Sequence, residues 1–328
     1  MKTRLSILDP SPVFEGRSAA QALDETRALA VAADTMSYRS FWVQEHHNAA
    51  SFAGTAPEVL MADIASRTKR ITVGSGGIML PNYSPLKVAE LGQTLSALYP
   101  QRIEIGLGRA TGADPRASAA LLGQGAQTFQ TMLRLAMDWW LDASGEAKIG
   151  VDHRAHRIAA NPSGPRPDLW MLCSSPESAA FAGQMGLKLA FADFLNPDGA
   201  GAALSAYRSA FEPSPFADQP YCAIGLVALA AETDAEAKRL SATMQAWTLG
   251  RLSGQFHPYQ NADIAHRALL EAKIAGRSDQ IIVGAGSDVA ERLSHKANDA
   301  SADELFILTI TDSAESRIAS YAYLDEAW

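Results

Sequence analysis

Four polar runs stand where apolar, β-branched runs end: Glu45-His46-His47-Asn48, Gly74-Ser75-Gly76-Gly77, Gly106-Leu107-Gly108-Arg109 and Cys173-Ser174-Ser175-Pro176. A histidine so placed can donate a proton, accept one, or stabilise an anion as it forms, and Glu45 is an acid beside it. Neighbouring residues of an extended segment face opposite sides, so His46 and His47 are not expected to share a metal ion. His153 and His156 fall in an irregular stretch and read as surface, and there is no HExxH. No metal is expected. Arg109 is a permanent cation suited to a phosphate, and Ser174, Ser175 and Ser178 open a helix whose free N–H groups favour an anion. Plain N-capping explains those serines equally well. The Gly74 to Gly77 run, with Ser75 inside it, fits either a tight turn or a backbone that must approach a flat ring closely. Gly106 and Gly108 lack the third glycine of a dinucleotide fingerprint, and neither a G-x-S-x-G elbow nor a P-loop occurs.

The elements that must position these residues alternate. Short apolar runs at Leu5–Leu8, Phe41–Val43, Ile71–Val73, Ile103–Leu107, Leu169–Leu172, Leu187–Phe191, Tyr221–Ala230 and Leu305–Leu308 predict eight strands. Helical spacing predicts helices over 18–36, from about 56, 85–99, 127–141, 176–185, 200–211, 234–249, 262–275, 288–297 and 313–328. Thr55 with Glu58 suggests a capping box, and Ser84 before Pro85 a capped first turn. Eight strands, each followed by a helix, predict a (β/α)8 barrel, one domain over 1–328, with an open doubly wound sheet as the alternative. Two stretches do not fit the alternation, 142–168 after strand four and 250–282 before strand eight. Both read as insertions. In such a barrel the C-terminal strand ends carry the chemistry, which is where the four polar runs lie. The aromatic and Met residues Trp42, Met79, Phe191 and Phe194 read as core or pocket lining.

Composition narrows the function classes. Among 328 residues, 28 Lys and Arg face 36 Asp and Glu, a formal net charge of −8, which offers no broad phosphate-attracting field for nucleic acid or an anionic membrane. No apolar run approaches the roughly 20 residues of a membrane span. The start, Met1 to Asp9, is too short for a signal-peptide core, and two cysteines make no disulfide framework. A cytoplasmic location is expected.

The ordered motifs Phe41-Trp42-Val43-Gln44-Glu45-His46-His47-Asn48, Gly54-Thr55-Ala56-Pro57-Glu58, Val73 to Pro81, Ser84 to Glu90 and Gly106-Leu107-Gly108-Arg109 together resemble the bacterial luciferase-like flavin monooxygenase family. The resemblance covers nearly the whole chain and is closest to the single-chain alkanal-monooxygenase-like branch. It implies a TIM barrel that takes reduced FMN, delivered by a separate flavin reductase, and forms a C4a-peroxyflavin with O2. That species oxygenates an aldehyde, ketone or related small organic substrate. By the same resemblance His46 matches the catalytic histidine and Glu45 its neighbouring acid. Gly76-Gly77 matches a non-prolyl cis peptide under the flavin ring, with Ser75 alongside, and Arg109 the phosphate-binding arginine. Ser174, Ser175 and Ser178 match phosphate and ribityl positions. The luciferase subunit has Glu where this chain has Ser174 and a reactive cysteine where it has Gly108, so that cysteine's role does not carry over. Phe191-Ala192-Asp193-Phe194 departs from the His-containing pattern of near relatives. The resemblance further implies a homodimer through the second and third helices and a lid over 250–275. An F420-dependent hydride-transfer oxidoreductase and a non-catalytic flavin-binding protein are the alternatives on the same scaffold.

Overall fold

The computed structural model describes residues 2–122, 127–253, 257–271 and 281–328. Strands β1 (Arg4–Asp9), β2 (Ser40–Val43), β3 (Thr72–Met79), β4 (Ile103–Gly108), β5 (Asp168–Cys173), β6 (Lys188–Ala192), β7 (Cys222–Ala231), β8 (Ile281–Ala285) and β9 (Glu304–Leu308) are joined by helices. In chain order these are α1 (Ala19–Ala33), α2 (Pro57–Arg67), α3 (Pro85–Leu98), α4 (Pro115–Leu121), α5 (Phe129–Ser144), α6 (Pro176–Gln184), α7 (Ala200–Ser209), α8 (Asp234–Leu252), α9 (Ala262–Glu271), α10 (Gly286–Asp299) and α11 (Ala314–Ala327).

Every strand pairing is parallel, and the sheet closes: β1 through β7 follow in order, and β9 bridges β7 to β1. The result is the expected (β/α)8 barrel, and the open-sheet alternative falls. Strand β8 was not anticipated. It pairs with Val227–Ala231, the last five residues of the long strand β7, of which all but Val227 lie past the end of β9, whose pairing covers Ala223–Val227. Its five residues, Ile-Ile-Val-Gly-Ala, are too few and too uniform to separate by periodicity from a loop flank. Helix α4 and the extension of α8 to Leu252 were likewise missed, and residues 272–275 of the helix expected over 262–275 lie outside the described residues.

The capping expectations were right in part. Thr55 does not cap α2: Ala56 takes that position without a side-chain bond, and Pro57 fills the first turn, so the first-turn geometry comes from proline instead of a capping box. Ser84 occupies the cap position of α3, also without a side-chain bond. The serine at 175 does cap α6, accepting from the Ser178 N–H at 3.3 Å.

Apolar strand residues pointing outward pack under the helices, while a second set fills the barrel interior: Leu8, Trp42, Trp170, Ala190, Val227, Phe306 and Leu308. Trp42 and Trp170 meet edge to face at 5.1 Å, and Phe306 lies 4.0 Å from Trp42. Below this plug, the N-terminal half of the barrel holds two buried carboxylates. Glu104 accepts from the indole N–H of Trp42 at 2.8 Å, the indole of Trp170 at 3.2 Å and Ser40 at 2.9 Å. Glu304 accepts from the Tyr221 hydroxyl at 2.8 Å and from Ser6. Arg39 reaches both, at 2.6 Å and 3.3 Å. Burial holds the Glu304 carboxyl above its usual range, against the pull of Arg39. Indole, hydroxyl and guanidinium donors thus satisfy charges that would otherwise be prohibitive there. With the lower half sealed, the open space of the barrel lies at the C-terminal mouth.

Candidate active site at the barrel mouth

A cavity of about 1130 Å³ opens at that mouth. His46 lines it from the segment after β2, Gly76 and Met79 from β3, Gly108 and Arg109 from the end of β4, and Ser174 and Ser178 from the start of α6. These residues were expected together, and the fold brings them together because β2, β3, β4 and β5 are consecutive neighbours in the sheet. Arg109 is exposed and makes no hydrogen bond or ion pair with the described residues. On the adjacent strand, α6 begins with the hydroxyls of Ser174 and Ser178 on the same cavity. That donor set suits a phosphate.

His46 stacks on Phe52, with ring centroids 4.4 Å apart and planes 25° apart. Its backbone N–H donates to the Gly54 carbonyl at 2.8 Å, and Nε2 lies 3.4 Å from Gln44 Oε1. Burial, with a smaller contribution from His47, pushes the imidazole pKa down to about 4, so the ring is neutral near pH 7.

Four of the expected residues sit differently. Glu45 is fully buried and does not line the cavity. Its Oε1 accepts from His47 Nε2 at 2.8 Å and Asn82 at 2.7 Å, and its Oε2 from the Met79 N–H at 2.8 Å and the Tyr83 hydroxyl at 3.2 Å. It is a positioning residue for the turn after β3 and for His47. Ser75 is buried too, its hydroxyl exchanging bonds of 3.1 Å and 3.0 Å with the carbonyl and N–H of Gly106, which clamps β3 to β4. Ser175 spends its hydroxyl on the α6 cap. Gly77 is not on the cavity wall.

The glycine run is not the tight turn that one of the two readings of the sequence offered. It lies inside β3 instead of leaving it, with a register shift between Gly76 and Ile78, and none of its residues has positive φ. The Gly76–Gly77 peptide is cis. A Cβ on Gly74 would stand 2.3 Å from the Trp42 indole nitrogen, and one on Gly77 would stand 2.5 Å from the Gly106 carbonyl oxygen. The glycines admit Trp42 and the neighbouring strand.

The far wall was largely invisible in the sequence. Trp247 of α8 meets Phe52 at 5.7 Å and Tyr259 at 5.1 Å, and its indole N–H donates to Ser51 at 2.7 Å. Only the run Phe256-His257-Pro258-Tyr259 hinted at it. The expected lid resolves, for its described part, into the last turn of α8, the 257–261 segment and α9; residues 254–256 and 272–275 lie outside the described residues. Of the four residues read as core or pocket lining, Met79 and Phe194 line the cavity, while Trp42 and Phe191 are core. Cys173 reaches the cavity, but burial pushes its thiol up to about 12, so it is uncharged. Among the described residues no group of three His, Cys, Asp or Glu could hold a metal ion, and His153 pairs with Asp138 at 3.2 Å. No described helix is long and apolar enough to cross a membrane.

A closed parallel barrel with its polar residues gathered at the C-terminal mouth is an enzyme scaffold, and comparison with known proteins gives its kind. The family model for luciferase-like monooxygenases matches residues 3–304, and the chain belongs to that family of oxidoreductases. It is 38% identical to the YwcH protein of Bacillus subtilis (strain 168), over 99% of this chain and 98% of that one. It is 31% identical to the N-acetyl-S-alkylcysteine monooxygenase of the same organism, over 99% and 98%. The crystal structure of apo-MsnO8 superposes with a TM-score of 0.90 at 35% identity, covering 99% of this chain and 97% of that one. Two more distant barrels share the fold. One is the oxygenating constituent of 3,6-diketocamphane monooxygenase from Pseudomonas putida in complex with FMN, at TM-score 0.71, 19% identity and coverage of 98% and 96%. The other is an F420-dependent secondary alcohol dehydrogenase, at 0.63, 16% and coverage of 100% and 98%.

Proposed function

We propose that the protein is an FMN-dependent monooxygenase that uses reduced flavin and O2 to oxygenate a small organic substrate. The observation that carries this reading is one cavity lined both by an anion-binding set (Arg109, Ser174 and Ser178) and by the neutral His46. At about 1130 Å³ it exceeds the roughly 300–1,000 Å³ of sites that hold one drug-sized ligand, which leaves room for a cofactor and a substrate together. When bound, reduced FMN supplies the electrons that activate O2.

The chain's own residues bind, orient and move a proton. Arg109 and the α6 serines hold the phosphate by charge-assisted bonds. Gly76 and Gly108 line the cavity that would take the ring system, and their lack of Cβ atoms lets Leu8 and Met79 pack close against them. His46, neutral and fixed by Phe52, can donate or accept a hydrogen bond at the reacting oxygen without carrying charge into the cavity. Glu45 acts through His47 and the Met79–Tyr83 turn, holding the β3 end in place.

The proposal includes a separate flavin reductase, a cytoplasmic location and a homodimer. Exposed Val59 on α2 and Leu98 on α3 support an apolar contact at the helices through which the family resemblance places dimerisation. The test is anaerobic titration with reduced FMN and with reduced F420, followed by oxygen uptake. FMNH2 binding with O2 consumption coupled to product is expected. Preference for reduced F420 with no oxygen uptake would overturn the reading in favour of hydride transfer. Binding of FMN without turnover across an aldehyde and ketone panel would favour a non-catalytic flavin carrier.

A further inference from the structure

The part of the cavity lined from α8 and the 257–261 segment has its own chemistry. Phe52, Trp247 and Tyr259 form one wall of three mutually contacting rings, at 5.7, 5.1 and 6.1 Å between centroids. Trp247 is fixed by its bond to Ser51, whose hydroxyl in turn donates to the His257 carbonyl at 2.7 Å, so the indole cannot turn freely. Fixed rings of this kind offer a flat apolar body good contact at little entropic cost. The Arg251 guanidinium lies 5.7 Å from the centroid of the Trp247 ring and lines the same cavity.

The charges at the mouth do not balance. Among the described residues Arg109, Arg116 and Arg251 line the cavity, against one carboxylate, Asp114. That carboxylate is already engaged, accepting from Asn48 at 2.6 Å and from the first N–H groups of α4 at 2.8 and 3.3 Å. A flavin phosphate would take Arg109. An anion is still called for at the aromatic end.

We infer that the aromatic compartment receives an anionic substrate with a flat apolar body, an aryl carboxylate in the simplest case, stacked on Trp247 with its negative group on Arg251. The inference rests on the flavin reading in one respect, that the flavin phosphate occupies Arg109. Tyr259 also lines the compartment, and it adds a second aromatic face beside Trp247.

The experiment is calorimetric titration of the purified chain, with and without saturating FMN, using 2-naphthoate and its neutral isostere 2-naphthamide. The wild type should bind naphthoate about tenfold or more tightly than the amide, the worth of one charge-assisted contact. Arg251→Gln should abolish that preference while leaving the amide's affinity unchanged, and Arg251→Lys should keep part of it. Trp247→Leu should weaken both probes, and Arg116→Gln should leave the preference intact when FMN is present. Equal affinity for the two probes in the wild type, or a preference that survives Arg251→Gln and instead follows Arg109 or Arg116, would overturn the inference. The flavin reading is scored separately by the FMN titration. A chain that ignores FMN yet prefers naphthoate through Arg251 would sink the flavin reading and uphold this one.

Discussion

Replacing His46 with glutamine tests both its burial and its chemistry. The imidazole's pKa lies near 4 in the folded chain, against 6.5 for a free side chain. Because the folded value is the lower one, the unfolded chain takes up the proton first as pH falls. The stability contributed by a neutral His46 is therefore complete above pH 6.5 and drains away as pH drops toward 4. Each pKa unit of difference is worth about 1.4 kcal/mol, and by pH 5 roughly 2 kcal/mol would be lost. His46 is partly open to the cavity, and solvent there reduces this to about 1–2 kcal/mol. At about 2.1 cal/mol/K per residue of unfolding entropy, 328 residues convert that loss into about 1.5–3 °C of melting temperature. Wild type should lose that much more than His46→Gln between pH 7 and pH 5, read by thermal denaturation at matched ionic strength. Parallel pH profiles for the two proteins would show that the ring is not desolvated. In the chemical arm, His46→Gln should bind FMNH2 normally, since the proposed phosphate contacts, Arg109, Ser174 and Ser178, come from the segments after β4 and β5, yet lose oxygen-dependent turnover by about 10²–10⁴-fold. Wild-type turnover in the variant would remove His46 from the mechanism.

Arg109→Ala should weaken FMN by about 1.5–3 kcal/mol and riboflavin hardly at all, because only FMN carries the phosphate; equal losses in fluorescence titrations would put the phosphate elsewhere. Gly77→Ala should cost more stability than Gly76→Ala, by about 1–3 kcal/mol in denaturant melts. Its Cβ meets the Gly106 backbone, whereas that of Gly76 meets first the movable end of Leu8, 2.6 Å away. Arg39→Met should cost about 3–5 kcal/mol at neutral pH by leaving Glu104 and Glu304 without their shared cation. Because Arg39 lies below the tryptophan plug, flavin affinity in the fraction that stays folded should be unchanged.

Alternating apolar runs and helical stripes were enough to place eight strands near their true positions and to gather His46, Arg109, Ser174 and Ser178 at one end of the barrel, where they line one cavity. The reason is geometric: once parallel strands alternate with helices, the residues just after each strand must gather at one end. Local pattern could not say which neighbours each residue would meet. Ser75 and Glu45 carry the right residue types at the right strand ends, yet they turn inward to Gly106 and to the Met79–Tyr83 turn. The glycines of β3 look like a turn until Trp42 is seen filling the space beside Gly74. Strand β8 exists because β7 runs past the end of β9 and leaves an edge to pair. The aromatic wall joins Ser51 and Phe52 to Trp247, a separation of 196 residues between Ser51 and Trp247. Periodicity reports which face of an element is apolar, because that is set within a few residues. Partners brought together by closure of the barrel are chosen by packing across the whole chain, and only the tertiary structure decides them.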